Sequence, residues 1–175
     1  TNRLRGLENS PHVYGADDWY NASLDNDLLK LIQKAHFDAV IVERIFLSRV
    51  LTFFDKSTLK IIDSEDVFTD RHQLFLRAGC SPNWFSTSKS EERRALKRAD
   101  VIIAIHENDR RFLSALSKKK VVKVGHVVSL VGPRKNILSQ NRILFIGSVS
   151  PMNELGINYF IEQVFPKIRR TISDA

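Results

Sequence analysis

One cysteine, one methionine, five prolines and seven glycines in 175 residues leave several protein classes without their raw material. A lone Cys80 cannot close an internal disulfide, which excludes a small disulfide-braced fold. Glycine and proline are too sparse for a collagen-like or low-complexity chain. The longest strand-type apolar run, Val101 to Ile105, falls far short of the ~20 residues that a membrane-crossing helix needs. The opening Thr1-Asn2-Arg3-Leu4-Arg5-Gly6 lacks the apolar core of a secretory signal, so with its single thiol the chain is expected in a reducing, cytoplasmic setting. Met152 is the sole methionine, and a chain opening on Thr1 is expected to be a processed or excised piece of a longer one.

What is present is globular: 43% hydrophobic residues, with 27 Lys and Arg against 20 Asp and Glu. The charge is uneven. Residues 1 to 87 carry 10 basic and 12 acidic side chains, net −2; residues 88 to 175 carry 17 and 8, net +9. A basic half attracts anions, whether a phosphorylated ligand, an anionic membrane surface or nucleic acid, and a solvated face without a partner explains it equally well. The basic residues are not interleaved with aromatics and no nucleic-acid-binding motif occurs, so no nucleic-acid partner is expected.

Short β-rich runs alternate with stretches of helical spacing. The strands are expected at Ala39–Val42, Leu59–Ile62, Val101–Ile105, Val121–Val124 and Ile143–Ile146, and their near-continuous apolar character predicts a parallel sheet covered on both faces. Leu24, Leu28, Leu31, Ile32 and Ala35 share one helical face, with Asp25 and Asp27 in the first turn where the helix dipole favours negative charge. Ile45 to Phe54 reads as a buried helix, Ser88 with Glu91 as a capping box opening a helix that runs to about Ala99. Another helix is expected from Glu107-Asn108-Asp109 to Lys118-Lys119-Lys120, and a last one from about Glu154 to Arg170, kinked or restarted near Phe165 by Pro166. Together these predict an α/β fold, a Rossmann-like parallel sheet flanked by helices. Residues 127 to 142 read as a linker, placing a boundary between an acceptor-side domain, 1–138, and the first strand and helix of a second domain, 139–175.

Ligands of open parallel sheets bind beyond the carboxyl ends of the strands. Each expected strand is followed there by polar residues or glycine: Glu43-Arg44, Asp63-Ser64-Glu65-Asp66, His106-Glu107, Gly125-His126 and Gly147-Ser148. Asp63, Glu65 and Asp66 suit general base catalysis, cation binding or sugar hydroxyls, or equally helix capping; Asp66 is the expected cap and Asp63 the expected crevice residue. His106 and His126 suit proton transfer or phosphate contact, and surface hydrogen bonding equally. No zinc-type spacing is present, and Cys80 has no ligand neighbour, so no metal is expected. Gly-x-Ser-x-Gly, the phosphate loop ending Gly-Lys-Ser/Thr and the dinucleotide glycine fingerprint are all missing. The Gly147-Ser148 turn joins an apolar run to a helix, where a glycine lets a phosphate approach backbone amides; a tight structural turn is the competing explanation.

The segment from Ile143 to Ile168, through Gly147, Ser148, Asn153, Gly156, Phe160 and Pro166, resembles the opening of the nucleotide-sugar domain in GT-B glycosyltransferases of the retaining, family-4-like group. Ile61-Ile62-Asp63-Ser64-Glu65-Asp66-Val67-Phe68, with Arg71 following, resembles a stretch of the type Asp-Thr-Glu-Asp-Val-His in the acceptor-side domain of that group. Arg98-Ala99-Asp100 followed by Val101–Ala104 resembles its strand announced by Ala-Asp. The resemblance implies donor contacts at the turn of Gly147, Ser148 and Asn153 and an acceptor lying by Asp63 to Asp66 and His106. Taken with the strand-end positions, it leads to expected acceptor contacts at Glu43, Glu65, Asp66, Arg71 and His126 and catalytic roles for Asp63 and His106, although His106 stands where a small or hydroxyl residue is common and its role is open. It implies a nucleotide-sugar donor, a glycan, lipid-linked or small-molecule acceptor, and no cofactor or essential metal. Phe68 stands where a histidine is frequent, so no histidine role carries over there. The resemblance also places the carboxylates for the donor ribose and sugar beyond Ala175 and a glycine-rich strand before Thr1, so residues 1–175 alone are expected to bind donor poorly and to be inactive. The alternative is a non-catalytic Rossmann-like or receiver-like module whose acids at 63–66 bind a cation or a partner; such a module has no use for the Gly147 to Pro166 pattern.

Overall fold

The structure, a computed structural model, describes residues 12–127 and 142–172. The chain divides into two compact units, Thr1–Leu74 with Pro82–Val127, and Phe75–Ser81 with Val128–Ala175. The expected boundary between residues 138 and 139, and nearly all of the expected linker, lie outside the described residues.

Strands β1 (Ala39–Glu43), β2 (Leu59–Asp63), β3 (Val101–Ala104) and β4 (Lys120–Lys123) form one all-parallel sheet in sequential order. Helices α1 (Leu24–Lys34), a 3-10 helix (Ile45–Phe53), α2 (His72–Arg77), α3 (Lys89–Leu96) and α4 (Glu107–Ser117) precede or connect the strands. The fold is therefore α/β and Rossmann-like. Register sets Glu43 beside Asp63, Asp63 beside Ile103 and Ile103 beside Val122. Ala99-Asp100 has a structural task at this sheet: Ala99 is buried, and Asp100 both donates its amide to the Lys60 carbonyl and accepts the Lys60 amide on its carboxylate, pinning the entry of β3 to β2.

Parallel strands taken in sequential order never double back, and right-handed crossovers send every connecting helix to the same face. Val42, Ile62, Ile102 and Ala104 point into that face and are buried with Phe68, Phe85, Leu96 and Leu113. Burying each large apolar side chain contributes about 1.5–3 kcal/mol. On the opposite face Ile41 is 62% exposed and Leu59 43%. The expectation of cover on both faces is corrected accordingly: among the described residues, one face carries the core and the other is open.

The segment after β1 is helical as expected, but of the 3-10 type. Its buried residues Ile45, Ser48 and Leu51 recur every three positions, the period at which 3-10 side chains eclipse. Helix α3 begins with Ser88 accepting the Glu91 amide, yet the Glu91 carboxylate does not return to Ser88; it takes the Ala16 amide and Arg94 instead. Helix α4 ends at Ser117 with Lys118 as its left-handed cap, Lys119 links it to β4 and Lys120 already belongs to that strand, so none of the three expected terminal lysines lies in the helix. Asp17 ties the early chain to α3 by accepting from Arg94 and Arg98, while Arg98 also donates to the buried Ser48 hydroxyl.

In the second unit, α5 (Pro151–Tyr159) passes through a π-helical turn (Phe160–Val164) into α6 (Phe165–Thr171). Pro166 has no amide hydrogen, and the widened turn before it, in which the Phe165 amide reaches the Phe160 carbonyl, is the expected interruption. The expected strand Ile143–Ile146 is corrected: residues 142–149 run without strand pairing, with Leu144 80% and Ile146 84% exposed. The run has strand composition, but a ladder requires a neighbour, and among the described residues none lies beside it.

Candidate functional site at the carboxyl ends of the strands

The chain leaves β1 through Arg44, whose backbone stands at φ 70° and ψ 150°. That conformation is essentially reserved for glycine and costs an L-residue about 1–3 kcal/mol. Its amide donates to the Asp63 carbonyl at 2.7 Å, extending the β1–β2 ladder by one residue. Two residues beyond β2, Glu65 also has positive φ, 53°. The two strained residues hold each other, with Arg44 Nε donating to Glu65 Oε2 at 2.7 Å, and the Arg44 guanidinium also lies 3.3 Å from Glu43. On its other side the guanidinium sits over the Trp84 ring, 5.5 Å from its centroid.

Trp84 belongs to an aromatic cluster that fills the space beyond β1 and β2. Its ring meets Trp19 edge-on at 5.4 Å, and Trp19 in turn contacts Tyr14, Phe46 and Phe85. Phe46, from the 3-10 helix, and the buried Phe68 close the cluster against Phe85. The two indoles remain partly open, Trp84 40% and Trp19 36% exposed.

Asp66 caps no helix, which corrects the expectation at that position; no helix begins at Val67, and α2 starts only at His72. The Asp66 carboxylate instead holds Arg71 at 2.6 Å, with the Arg71 guanidinium over the Phe68 ring. The acceptor that orders this segment is Glu92 of α3, fully buried, taking the Phe68 and Thr69 amides at 2.9 and 2.7 Å and the Thr69 hydroxyl. Burial outweighs these donors and holds the Glu92 carboxyl above the usual carboxylate range. Arg71 Nε is buried without a hydrogen-bond partner among the described residues, a donor whose desolvation costs about 1–3 kcal/mol.

Asp63 stands half-buried between Glu43 and Ile103, its carboxylate engaging no partner among the described residues. His106 is exposed at the N-terminus of α4, where its carbonyl accepts the Arg110 amide and its side chain caps nothing. Burial raises the nearby Asp109 carboxyl, Asp66 adding to the effect and His106 opposing it, which draws Asp66, His106 and Asp109 into one electrostatic neighbourhood. His126, beyond β4, is exposed and has no hydrogen bond or ion pair among the described residues. Of the expected acceptor-side residues, the fold thus joins Glu43 with Glu65 through Arg44, and Asp66 with Arg71, leaving His126 apart. Among the described residues no group of three or more His, Cys, Asp or Glu is gathered as metal ligands. A shallow cavity lined by Ile32, His36, Phe37, Phe54 and Thr58 opens at the amino ends of β1 and β2, away from this set.

In the second unit, Ser150 caps α5 by accepting the Asn153 amide at 3.2 Å, and Asn153 Nδ2 donates to the Ser148 carbonyl at 2.9 Å. A Cβ on Gly147 would come within 2.9 Å of the Phe145 ring and 3.3 Å of Asn153 Nδ2. Gly147, Ser148 and Asn153 therefore form one tight turn at a helix N-terminus. Sequence reasoning named Arg44 only as a residue following a strand, and missed Trp84 and Trp19 entirely; two tryptophans 65 positions apart carry no local signal that they meet.

Comparison with protein-family models, with curated proteins and with solved structures finds no match to the chain. Among the described residues no helix is long and apolar enough to cross a membrane.

Proposed function

We infer that the chain serves a glycosyltransferase that moves a sugar from a nucleotide sugar to a hydroxyl acceptor with retention, independently of an essential metal. The observation that carries the reading is the strained Arg44–Glu65 pair at the carboxyl ends of β1 and β2, where parallel sheets bind ligands and where backbone strain gathers at functional sites. In this reading Glu43, Glu65, Asp66, Arg71 and His126 face the acceptor, and Gly147, Ser148 and Asn153 receive the donor diphosphate on amides near the N-terminus of α5. The acceptor oxygen bonds to the anomeric carbon while the bond from that carbon to the diphosphate breaks. In the sheet unit, Asp63 or His106 is the base suited to take the hydroxyl proton; in the second unit, taken by itself, the positive end of α5 is suited to hold a diphosphate. The basic half of the sequence is compatible with an anionic membrane surface carrying the acceptor, at a cytoplasmic location.

The competing binding module requires free acids at 63–66. Glu65 is neutralised by Arg44 and Asp66 by Arg71, which disfavours a cation site there. Calorimetric titration of UDP- and GDP-sugars into the longest form of the protein that carries residues 1–175 tests the reading, with Gly147→Val as the control. Saturable binding lost in Gly147→Val supports it. Phe145 is a half-exposed side chain able to move aside, so the substitution should leave the fold intact. No binding of any nucleotide sugar by folded protein refutes it.

A further inference from the structure

We propose that the exposed parts of Trp84 and Trp19, bordered by Glu43, Arg44 and Glu65, form a binding site for an uncharged pyranose ring. Two adjoining indoles, each more than a third exposed and crossed at 80°, offer an apolar corner at the carboxyl edge of β1 and β2. Their border supplies both acceptors and donors: the Glu43 and Glu65 carboxylates and the Arg44 guanidinium. Arg44 is matched by two carboxylates, so the border is net negative and gives a phosphate or carboxylate ligand no free cation. A cationic ligand would meet the guanidinium already lying over Trp84. The ligand that fits is neutral, apolar on one face and rimmed by groups that donate and accept, which describes a sugar ring.

The backbone strain at Arg44 and Glu65 holds that border in place, since each strained residue is fixed by its bond to the other. Identifying the bound ring as the sugar acceptor of the transfer rests on the transferase reading above; the sugar site itself does not.

The chain contains two tryptophans and both lie in this cluster, so intrinsic fluorescence reads the site directly. The probes are methyl α- and β-D-glucopyranoside, methyl α-D-mannopyranoside, N-acetylglucosamine, maltose and cellobiose, titrated into the whole protein. At least one should give a saturable change with a midpoint at about millimolar concentration, the level expected of a small open site. Trp84→Ala should weaken that midpoint at least about tenfold while Trp19 still reports, and Glu65→Gln, which keeps the side-chain volume, should weaken it about tenfold by removing a charge-assisted hydrogen bond. If Trp84→Ala does not fold, the Glu65→Gln comparison decides alone. A response that is absent for every probe, or unchanged in the variants, overturns the proposal. So does a change that follows protein concentration rather than sugar, which would mean that the indoles pack against a second copy. Sugar binding without nucleotide-sugar binding upholds this site and removes the transferase reading; nucleotide-sugar binding without sugar binding does the reverse.

Discussion

Replacing Glu92 tests how the segment beyond β2 is held. Its carboxylate is fully buried and serves three donors, the Phe68 amide on one oxygen and the Thr69 amide and hydroxyl on the other. Glu92→Ala orphans both amides, each costing about 1–3 kcal/mol when left buried and unpaired. Removal of a costly buried charge offsets part of this. The net loss should be about 3 kcal/mol, which for a unit of this size lowers the melting temperature by about 10 °C. Glu92→Gln should cost less, because its amide oxygen can keep both Thr69 donors, although its NH2 faces the Phe68 amide and leaves those two donors unpaired.

The pH dependence has a definite sign. Burial raises the folded-state pKa of Glu92 above its unfolded value, so the protonated form adds stability below the unfolded value, and this stability is lost as pH rises through the folded one. The glutamine variant has no such titration. The gap between wild type and Glu92→Gln should therefore be widest in acid and narrow as pH rises. Urea unfolding followed by circular dichroism across this range measures it. A loss under about 1 kcal/mol in Glu92→Ala, or a gap that widens with rising pH, would refute the assignment of Glu92 as the buried acceptor.

At Arg44 the usual order of alanine and glycine should reverse. Both variants lose the contacts with Glu65 and Trp84, but only glycine relieves φ 70° with ψ 150°, so Arg44→Gly should be about 1–2 kcal/mol more stable than Arg44→Ala in chemical denaturation; the ordinary order would show that the strain is not stored there. At Asp17, burial pushes the carboxyl up, but the hydrogen bonds and charges of Arg98 and Arg94 outweigh it and bring it down to about 2. A depressed folded pKa gives stability that is present above the unfolded value of about 4 and is lost as pH falls through about 2. Asp17→Asn should therefore be less stable than wild type at neutral pH and converge on it in strong acid, and a pH-independent difference in melting temperature would show that its ion pairs contribute nothing.

The parts of this fold that were legible in the sequence are those that local physics decides. Four apolar runs became β1 to β4 because β-branched residues in short continuous blocks suit a parallel sheet. Ser88 capped α3 because its oxygen is placed by the backbone to meet an amide three residues on, and Pro166 disturbed its helix because it lacks a donor wherever it stands. What was not legible depends on neighbours distant in the chain. Ile143–Ile146 has the composition of a strand and no partner among the described residues; Asp66 has the chemistry of a cap, but Glu92, 26 positions away, reached the amides beyond β2 and left Asp66 to Arg71. The continuous runs promised two covered faces, whereas cover depends on strand order, which no single run encodes.

Arg44 is the sharpest case, because a glycine there would have announced the backbone conformation and an arginine conceals it. A side chain held at a glycine's dihedral angles must recover about 1–3 kcal/mol from its contacts. The partly buried ion pair with Glu65, the more exposed one with Glu43 and the cation over the Trp84 indole each supply about 0.5–1 kcal/mol. Those contacts roughly balance the strain, so they account for an arginine being tolerated here and leave little surplus stability. A ligand that closes over Glu65, Arg44 and Trp84 would exclude water from the ion pair and strengthen it. A ring seated on the two open indoles would therefore also add to the hold on the strained Arg44 backbone.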